Sequence, residues 1–327
     1  MKIVHARATR RADLLPTEDD IAFARQALVR AGVSPVVVLR RERFWLAIES
    51  LRPEGSFKIR GAVAALARLH SRGVRAVIAA SAGNHGIGVA SAGARLGMKT
   101  TIVVPRSAAR KKVAAIRGYG AEILEEGAGY DEAEDAALAL SSARGEPFLS
   151  PYDDVDVVAG NGGTLGAEIV DALAAHGAAP SLVLAPFGGG GLATGLACAM
   201  PGSARIVWGV QSEASPAFAM SLETGQAVTR LPACETLADG IEGGIAPDAF
   251  ARAAGVCAGV LVVSEGAIAD AMRAAARDLG LVVEGSAACA LAPTLQPLPA
   301  ELAPGRDVVI VLTGRNVDAD RLARALV

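Results

Sequence analysis

The sequence predicts an α/β protein with two open, mostly parallel twisted sheets flanked by helices. Short β-branched apolar runs alternate with alanine-rich stretches of helical length through most of the 327 residues. The apolar runs are continuous rather than alternating with polar residues, which is typical of parallel strands covered by helices on both faces. With 52% apolar and 20% charged residues, the chain has enough apolar material for a sizeable core.

Each predicted strand is followed by a predicted helix, in chain order. A first helix over residues 18–31 begins at a capping Thr17, and another covers residues 61–70. The strand–helix units are 74–80 with 84–96, 100–105 with 107–119, 121–125 with 131–144, 181–187 with 192–200, 205–211 with 216–224, 260–264 with 266–279, and 307–312 with 319–327.

Two domains are expected from this order. Residues 45–145 would form a small α/β domain, and residues 1–44 with 146–327 a large α/β domain. Ligands of open parallel sheets bind beyond the carboxyl ends of the strands. The loops that follow the predicted strands are therefore the places to look for a functional site.

Composition excludes several classes of protein. The net charge is −2 and no basic block occurs, which argues against nucleic acid as a partner. The N-terminus has no secretory apolar segment and no apolar run is long enough to span a membrane, so a soluble cytoplasmic protein is expected. The cysteines are too widely spaced for a zinc site or a disulfide framework: Cys198, Cys234, Cys257 and Cys289.

Lys58 is the most informative single residue. Only five of the 32 lysine and arginine residues are lysines, so arginine supplies most of the positive charge. A lysine between Phe57 and Ile59, close to Gly55 and Gly61, indicates that an amine is required there. Unlike arginine, a lysine can lose its proton near neutral pH and act as a nucleophile or base. The simpler alternative is a surface lysine before the helix over residues 61–70.

A run of four glycines follows the predicted strand over residues 181–187 and opens a helix. Its backbone N–H groups and the helix N-terminus suit a phosphate group. Gly188, Gly190 and Ala193 also fit the GxGxxA dinucleotide pattern, with Glu213 as a candidate ribose ligand. The mid-chain position and the surplus of glycines argue against a dinucleotide. A cofactor phosphate, NAD and a plain tight turn remain the three alternatives for this loop.

Two further loops at strand ends carry candidate ligands. The loop Ser81, Ala82, Gly83, Asn84 and His85 leaves backbone N–H groups open to a carboxylate, although taken singly Asn84 is more simply a helix cap and His85 a surface residue. The last strand ends at Thr313, whose hydroxyl could bind a ring nitrogen or only cap the turn.

Together these segments resemble the signature of fold-type II pyridoxal-phosphate enzymes, which have the tryptophan synthase β-like fold. Within that family they are most similar to the threonine/serine dehydratase branch, which includes serine racemase. The matching segments occur in order: Ser56-Phe-Lys-Ile-Arg-Gly-Ala62, Ser81-Ala-Gly-Asn-His85, Ser150-Pro-Tyr-Asp-Asp154, Val158-Ala-Gly-Asn-Gly-Gly-Thr164, Gly188-Gly-Gly-Gly191, Thr236-Leu-Ala-Asp-Gly240 and Thr313-Gly-Arg-Asn316.

The resemblance implies a role for each matching residue. Lys58 would form the Schiff base with pyridoxal 5′-phosphate and later act as the base at Cα. The substrate carboxylate would bind Ser81, Ala82, Gly83, Asn84 and His85. The cofactor would contact Phe57 and Gly240 beside the ring, Asn84 at the ring hydroxyl oxygen, Thr313 at the ring nitrogen, and Gly188, Gly189, Gly190, Gly191 and Leu192 at the phosphate.

The implied reaction is β-elimination of water from a small hydroxyamino acid, L-threonine or L-serine first, giving a 2-oxo acid and ammonia. The motifs contain no obvious acidic side chain for the task, so the cofactor phosphate is expected to protonate the leaving hydroxyl. The alternatives are another reaction of the same family, such as hydroxyaspartate dehydration or β-replacement, and more distantly an NAD-dependent oxidoreductase. The resemblance to this family also implies a homodimer.

Several residues depart from the family pattern. Ala82 replaces the serine of the racemase branch and has no transferable proton, so little or no racemisation is expected. Gln211 replaces the glutamate of metal-binding relatives, so no metal is predicted, although Glu213 is close by. Arg315 stands where the family usually has a glycine, and its side chain is expected to point into solvent. Relative to the family pattern, one glycine is added in the segment at residues 160–164. Ala47 stands where relatives often have a lysine. Because the chain ends at Val327, no regulatory domain for isoleucine is expected.

Overall fold

Two sheets of different size organise the chain in the computed structural model, which describes residues 1–6, 11–41, 44–152, 154–202, 205–232, 234–302 and 307–326. The larger sheet has the strand order β1-β9-β8-β7-β10-β3-β2. Its strands are β1 (Lys2–His5), β2 (Val37–Arg40), β3 (Trp45–Ile48), β7 (Leu182–Pro186), β8 (Val207–Ser212), β9 (Gly259–Val263) and β10 (Val308–Leu312). The smaller sheet consists of β4 (Ala76–Ala80), β5 (Lys99–Val104) and β6 (Glu122–Glu125).

Both sheets are mainly parallel, which confirms the predicted fold class. In the larger sheet only the edge strands β1 and β2 pair antiparallel with their neighbours. The strands between them pair parallel, and so do β4, β5 and β6. The inner strands β7, β9 and β10 are buried along their whole length, as continuous apolar runs predict.

The helices cover these sheets. They are α1 (Glu18–Arg30), α2 (Lys58–Ser71), α3 (Asn84–Leu96), α4 (Arg110–Gly118), α5 (Tyr130–Arg144), α6 (Val155–Val158), α7 (Thr164–Ala174), α8 (Gly191–Ala199), α9 (Ala217–Thr224), α10 (Pro247–Val256), α11 (Glu265–Asp278), α12 (Gly285–Leu291) and α13 (Ala319–Leu326). A π turn (Ala159–Gly163) joins α6 to α7. None of the described helices has the length and apolarity that a membrane span requires.

The predicted strand–helix units are all present, with boundaries shifted by a few residues. As predicted, Thr17 caps α1: its side chain accepts a hydrogen bond from the N–H of Asp20, and the carboxylate of Asp20 accepts one from the N–H of Thr17. The predicted units did not include β1, β2, β3, α6, α7, α10 or α12. Two residues of the predicted segments, Asp153 and Val327, lie outside the described residues.

The predicted division of the chain does not follow the sheets at one point. Strand β3 begins at Trp45, inside the predicted small domain, but it pairs with β10 and β2 of the larger sheet. Residue 45 therefore does not mark the beginning of the smaller sheet, whose first strand is β4. The remaining chain between β4 and Arg144 alternates strand and helix as expected. The division into two domains stays a prediction.

Glycines of the π turn let it pack closely against both α2 and α8. The side-chain Oδ1 of Asn161, in the π turn, accepts a hydrogen bond of 2.9 Å from the N–H of Gly61. A Cβ atom on Gly162 would lie 2.2 Å from the carbonyl oxygen of Leu192, so no larger residue fits there. A π turn inserts one residue into a helix, and the added glycine of the sequence motif falls within it.

Ion pairs in the core tie α2 to β3 and α7. Arg60 is completely buried and donates hydrogen bonds to Glu49 at 2.9 Å, to Glu168 at 2.6 Å and to Thr164 at 3.0 Å. Arg52 binds the same Glu49 carboxylate. Burial alone would raise the pKa of Glu49, but the charges of Arg60 and Arg52 hold it below its ordinary value. Lys58, two residues before Arg60, is therefore anchored to the core of the larger sheet.

Candidate active site

A cavity of about 370 Å³ opens where the carboxyl ends of strands from both sheets converge. Ala80 at the end of β4 and Pro186 at the end of β7 border it, as does Thr313 just after β10. This is the position expected for ligands of parallel sheets. Every site residue predicted from the sequence lines it: Phe57, Lys58, Ser81, Ala82, Gly83, Asn84, His85, Gly188, Gly189, Gly190, Gly191, Leu192, Gly240 and Thr313.

Lys58 is the first residue of α2 and not a residue before the helix, which corrects the predicted start at residue 61. It is half-buried, and its Nζ atom lies 5.2 Å from the ring centroids of both Phe57 and Tyr152. Removal from water lowers the pKa of Lys58 to about 8, and the negative charge of Glu284 opposes this effect. Its position at a helix N-terminus further disfavours the ammonium form. A substantial minority of the amine is thus neutral at physiological pH.

Attachment of an aldehyde to Lys58 should therefore depend on pH in a specific way. Only the neutral amine reacts, and with a pKa of about 8 roughly a tenth of Lys58 is neutral at pH 7, against about one in 3,000 for an ordinary lysine. Incorporation of pyridoxal phosphate into the apoprotein should accelerate about tenfold from pH 6 to pH 7 and level off above pH 8. Stopped-flow absorbance measures this rate. A rate still rising about tenfold from pH 8 to pH 9, as for an ordinary lysine, would contradict the lowered pKa.

The four glycines at residues 188–191, which we call the glycine loop, line the cavity with backbone atoms alone. A Cβ atom on Gly189 would lie 2.5 Å from the ring of Tyr152, and one on Gly188 would lie 3.1 Å from Ile241. Gly190 has φ of +83°, a conformation that residues with a Cβ rarely adopt. Helix α8 begins at Gly191 without a capping side chain, so its first N–H groups face the loop. This arrangement fits a phosphate group.

Thr313 and Gly240 form two further parts of the cavity wall. Thr313 is buried directly after β10, and its carbonyl oxygen accepts a hydrogen bond of 3.0 Å from the N–H of Phe57. Gly240 lies in a short 3₁₀ turn (Asp239–Ile241), and its N–H donates to the hydroxyl of Ser286 at 2.9 Å. A Cβ atom on Gly240 would lie 2.8 Å from that hydroxyl, so only glycine fits without a shift.

The residues predicted to bind a carboxylate lie in the turn after β4 and in the first two residues of α3. Gly83 is the N-cap residue of α3, and its N–H donates to the hydroxyl of Ser81 at 3.1 Å. His85 is buried, so the simpler expectation of a surface histidine is wrong. Burial and the charge of Lys58 lower the pKa of His85 to about 3, which keeps the ring neutral. Its Nε2 atom lies 3.2 Å from the carbonyl oxygen of Leu149, which identifies Nε2 as the protonated nitrogen.

Asn84 is bound by two side chains that the sequence did not single out. It does not cap α3, which it begins, since the N-cap residue is Gly83. Its Nδ2 atom donates to Glu284, and its Oδ1 atom accepts from Asn316. Glu284 belongs to no motif and no predicted element, so no sequence signal identified it. Asn316 closes the last motif, but the motif implied no role for it. The cavity therefore contains a buried carboxyl group that the motifs did not predict.

The departures from the family pattern have defined positions. Gln211 is buried and donates to the carbonyl oxygen of Phe187, just before the glycine loop, while its Oε1 accepts from the N–H groups of Phe218 and Ala219. Arg315 is half-buried and donates to the carbonyl oxygen of Ser50, so the expectation that it points into solvent is wrong. In the described part of the chain, no group of three or more His, Cys, Asp or Glu side chains is placed to hold a metal ion.

These residues fit pyridoxal phosphate on structural grounds. A partly desolvated amine lies in the same cavity as a side-chain-free glycine loop, a hydroxyl group and an amide. The N-terminus of α8 can hold a phosphate, Lys58 can react with an aldehyde, and Thr313 and Asn84 can bind polar atoms of a ring. A nicotinamide dinucleotide would need none of the properties of Lys58.

Comparison with known proteins identifies the same chemistry. A family model described as "Pyridoxal-phosphate dependent enzyme" matches residues 30–314. The L-threonine ammonia-lyase of Thermotoga maritima is 37% identical over 287 residues, which cover 86% of this chain and 69% of that protein.

Solved structures agree in fold over nearly the whole chain. The threonine deaminase from Solanum lycopersicum, isoform 2 in its processed form, superposes with a TM-score of 0.81 at 27% identity, covering 99% of this chain and 91% of that one. Maize serine racemase superposes with a TM-score of 0.84 at 26% identity, covering 94% of this chain and 96% of that one.

Proposed function

Since this chain belongs to the pyridoxal-phosphate-dependent enzyme family, we propose that it eliminates water from a small hydroxyamino acid, L-threonine or L-serine first. The enamine released by this elimination would then take up one water and lose ammonia. The products would be a 2-oxo acid and ammonia. The observation that carries the proposal is the convergence of Lys58, with its lowered pKa, the bare glycine loop and the loop over residues 81–85 on one cavity. Relatives of this chain are named for the same activity on threonine.

Pyridoxal phosphate, when bound, supplies the electron sink that makes the Cα–H bond of an amino acid acidic. Within the protein, Lys58 is the nucleophile for the cofactor aldehyde, and its amine then takes the proton from Cα. The lowered pKa of the amine suits both tasks, because a catalytic base works best with a pKa near the operating pH. The ring of Tyr152, 5.2 Å from Nζ, restricts the space into which the amine can move.

The loop over residues 81–85 would hold the substrate carboxylate. It contains the N-terminus of α3, whose partial positive charge favours an anion, and a Cβ atom on Gly83 would have no neighbour closer than 3.9 Å. Neutral His85 adds no charge that would attract a second carboxylate. Ala82 lines the cavity without a transferable proton, so the opposite face of Cα cannot be protonated by this residue. Racemisation is therefore proposed to be absent or minor.

The hydroxyl of Thr313 would bind the ring nitrogen. A neutral hydroxyl, unlike a carboxylate, does not stabilise a protonated pyridine nitrogen, which favours prompt elimination over transamination. Glycine loop residues 188–191 and Leu192 would bind the phosphate through N–H groups, with Phe57 and Gly240 beside the ring. We propose that the protein is a cytoplasmic homodimer and that it binds neither nucleic acid nor membranes.

Absorbance of the purified protein, recorded before and after addition of L-threonine, tests the proposal when 2-oxo acid is measured in the same cuvette. The expected result is a visible band from the lysine-bound cofactor that changes with threonine while 2-oxobutanoate accumulates. A band without product would show that the cofactor is bound but that threonine is not the substrate, and L-serine and the hydroxyaspartates would be tested next. No band after incubation with pyridoxal phosphate would overturn the role of Lys58 and return the glycine loop to its dinucleotide alternative.

A further inference from the structure

The side-chain amide of Asn84 is hydrogen-bonded through both its nitrogen and its oxygen. Its Nδ2 atom lies 3.0 Å and 3.1 Å from the two carboxylate oxygens of Glu284. Its Oδ1 atom accepts a hydrogen bond of 2.7 Å from Nδ2 of Asn316. The backbone N–H of Asn316 donates to Glu284 at 3.1 Å, so the three residues form one closed unit. We refer to Glu284, Asn84 and Asn316 as the amide clamp.

The chemistry of the partners determines which way each amide faces. An ionised carboxylate only accepts hydrogen bonds, so the nitrogen of Asn84 must face Glu284. Nδ2 of Asn316 also donates to the carbonyl oxygen of Glu54 at 2.9 Å, which likewise only accepts. A flipped Asn84 would place its oxygen against the carboxylate. The clamp therefore has a single satisfied arrangement.

The clamp joins parts of the chain that are far apart in sequence. Asn84 begins α3, Glu284 precedes α12 and Asn316 follows β10. Gly55 makes room for it: φ is +76°, and a Cβ atom there would lie 2.1 Å from Oδ1 of Asn316. Helix α3 is tethered again further along, because Ser91 and Arg95 donate to the carboxylate of Glu54 at 2.8 Å and 2.7 Å.

We propose that Glu284 and Asn316 are positioning residues that orient the Asn84 amide for the cofactor. In the proposed arrangement, one N–H of Nδ2 is shared between the two carboxylate oxygens of Glu284, and the second N–H donates to the ring hydroxyl oxygen. The inference deepens the proposed function and rests on it, since it takes Asn84 as the residue that faces that oxygen. Neither Glu284 nor Asn316 needs to touch the reacting atoms.

The charge of Glu284 should matter for this role. Burial raises its pKa to about 7, while the Asn84 amide lowers it and the nearby Asp239 raises it further. The positive groups that face it are Lys112, which lowers its pKa, and Lys58. Protonation turns one carboxylate oxygen into a donor, which no longer accepts from Asn84. The clamp should thus hold above about pH 7 and loosen below it.

The test is the affinity of the apoprotein for pyridoxal phosphate, measured by equilibrium titration without any amino acid. Glu284→Gln should raise the dissociation constant about 10–100-fold at pH 8, because a charge-assisted hydrogen bond is lost and an amide N–H is left facing another. The difference from the unaltered protein should shrink below pH 7, where Glu284 is itself protonated. Glu125→Gln, an exposed residue of β6, is the matched control.

Asn316→Ala is the second variant, so that the result does not depend on one substitution. It should weaken cofactor binding by a similar factor, and the double variant should lose less than the product of the two, because both act through Asn84. Circular dichroism of each apoprotein verifies folding. Binding by Glu284→Gln equal to that of Glu125→Gln at all pH values would overturn the proposal, as would independent effects of the two substitutions. Since no amino acid is used, a wrong substrate assignment would leave this result unaffected.

Discussion

Replacement of Lys58 by arginine is expected to abolish the reaction and the visible band of the bound cofactor. Arginine keeps the positive charge and much of the length, but it neither attacks an aldehyde nor accepts a proton near neutral pH. The loss of a positioned base alone costs roughly 10²–10⁴ in rate, and the loss of cofactor attachment adds to it. Ammonia release and the absorbance spectrum together measure both effects.

Lys99→Arg is the matched control for this substitution. Lys99 begins β5, is exposed and does not line the cavity. The same change of side chain there should leave the spectrum and the rate unchanged. If Lys58→Arg kept the band and more than a tenth of the activity, another amine would have to carry the chemistry, and the assignment of Lys58 would be wrong.

Replacement of Arg60 by methionine should cause the largest loss of stability. Arg60 is completely buried between Glu49 and Glu168, and methionine of similar length leaves both carboxylates without this partner. Breaking a buried ion pair by removing one member costs about 3–5 kcal/mol in the free energy of unfolding. Arg52 still binds Glu49, which places the expected loss towards the lower value. Denaturant unfolding of the apoprotein measures it.

Arg25→Met provides the control for Arg60→Met. Arg25 pairs with Asp171 on the surface, where both side chains are largely exposed, and such a pair contributes about 1 kcal/mol or less. Cofactor affinity should also fall in Arg60→Met but not in Arg25→Met, because Arg60 anchors the helix that begins with Lys58. A change below about 1 kcal/mol for Arg60→Met would mean that the core network does not hold α2 in place.

Much of the fold and of the candidate site was predictable because the signals are local. Continuous apolar runs followed by alanine-rich stretches predict parallel strands with helical crossovers, and each of those strands is present. Four consecutive glycines after a strand predict an open phosphate loop, since backbone freedom depends on the residue itself. A rare lysine in an arginine-rich chain indicates a required amine, since the ability to lose a proton also depends on the type of residue.

Other features depended on residues that only the tertiary structure brings together. Strand β3 joins the larger sheet through pairing with β10, which lies near the other end of the chain. Arg315 turns inward to Ser50, and His85 is buried against Leu149. Glu284 lies 200 residues from Asn84 and belongs to no motif.

By itself, the sequence determined the fold class, the order of the predicted strand–helix units, the amine and the glycine loop, because these follow from the conformational and chemical preferences of each residue and its chain neighbours. The tertiary structure decided the depth at which Lys58 lies, the protonation of His85 and Glu284, and the orientation of Asn84. Those properties depend on desolvation and on charges within a few ångströms. Distances of that kind are set by packing between segments remote in sequence, and local preferences do not encode them.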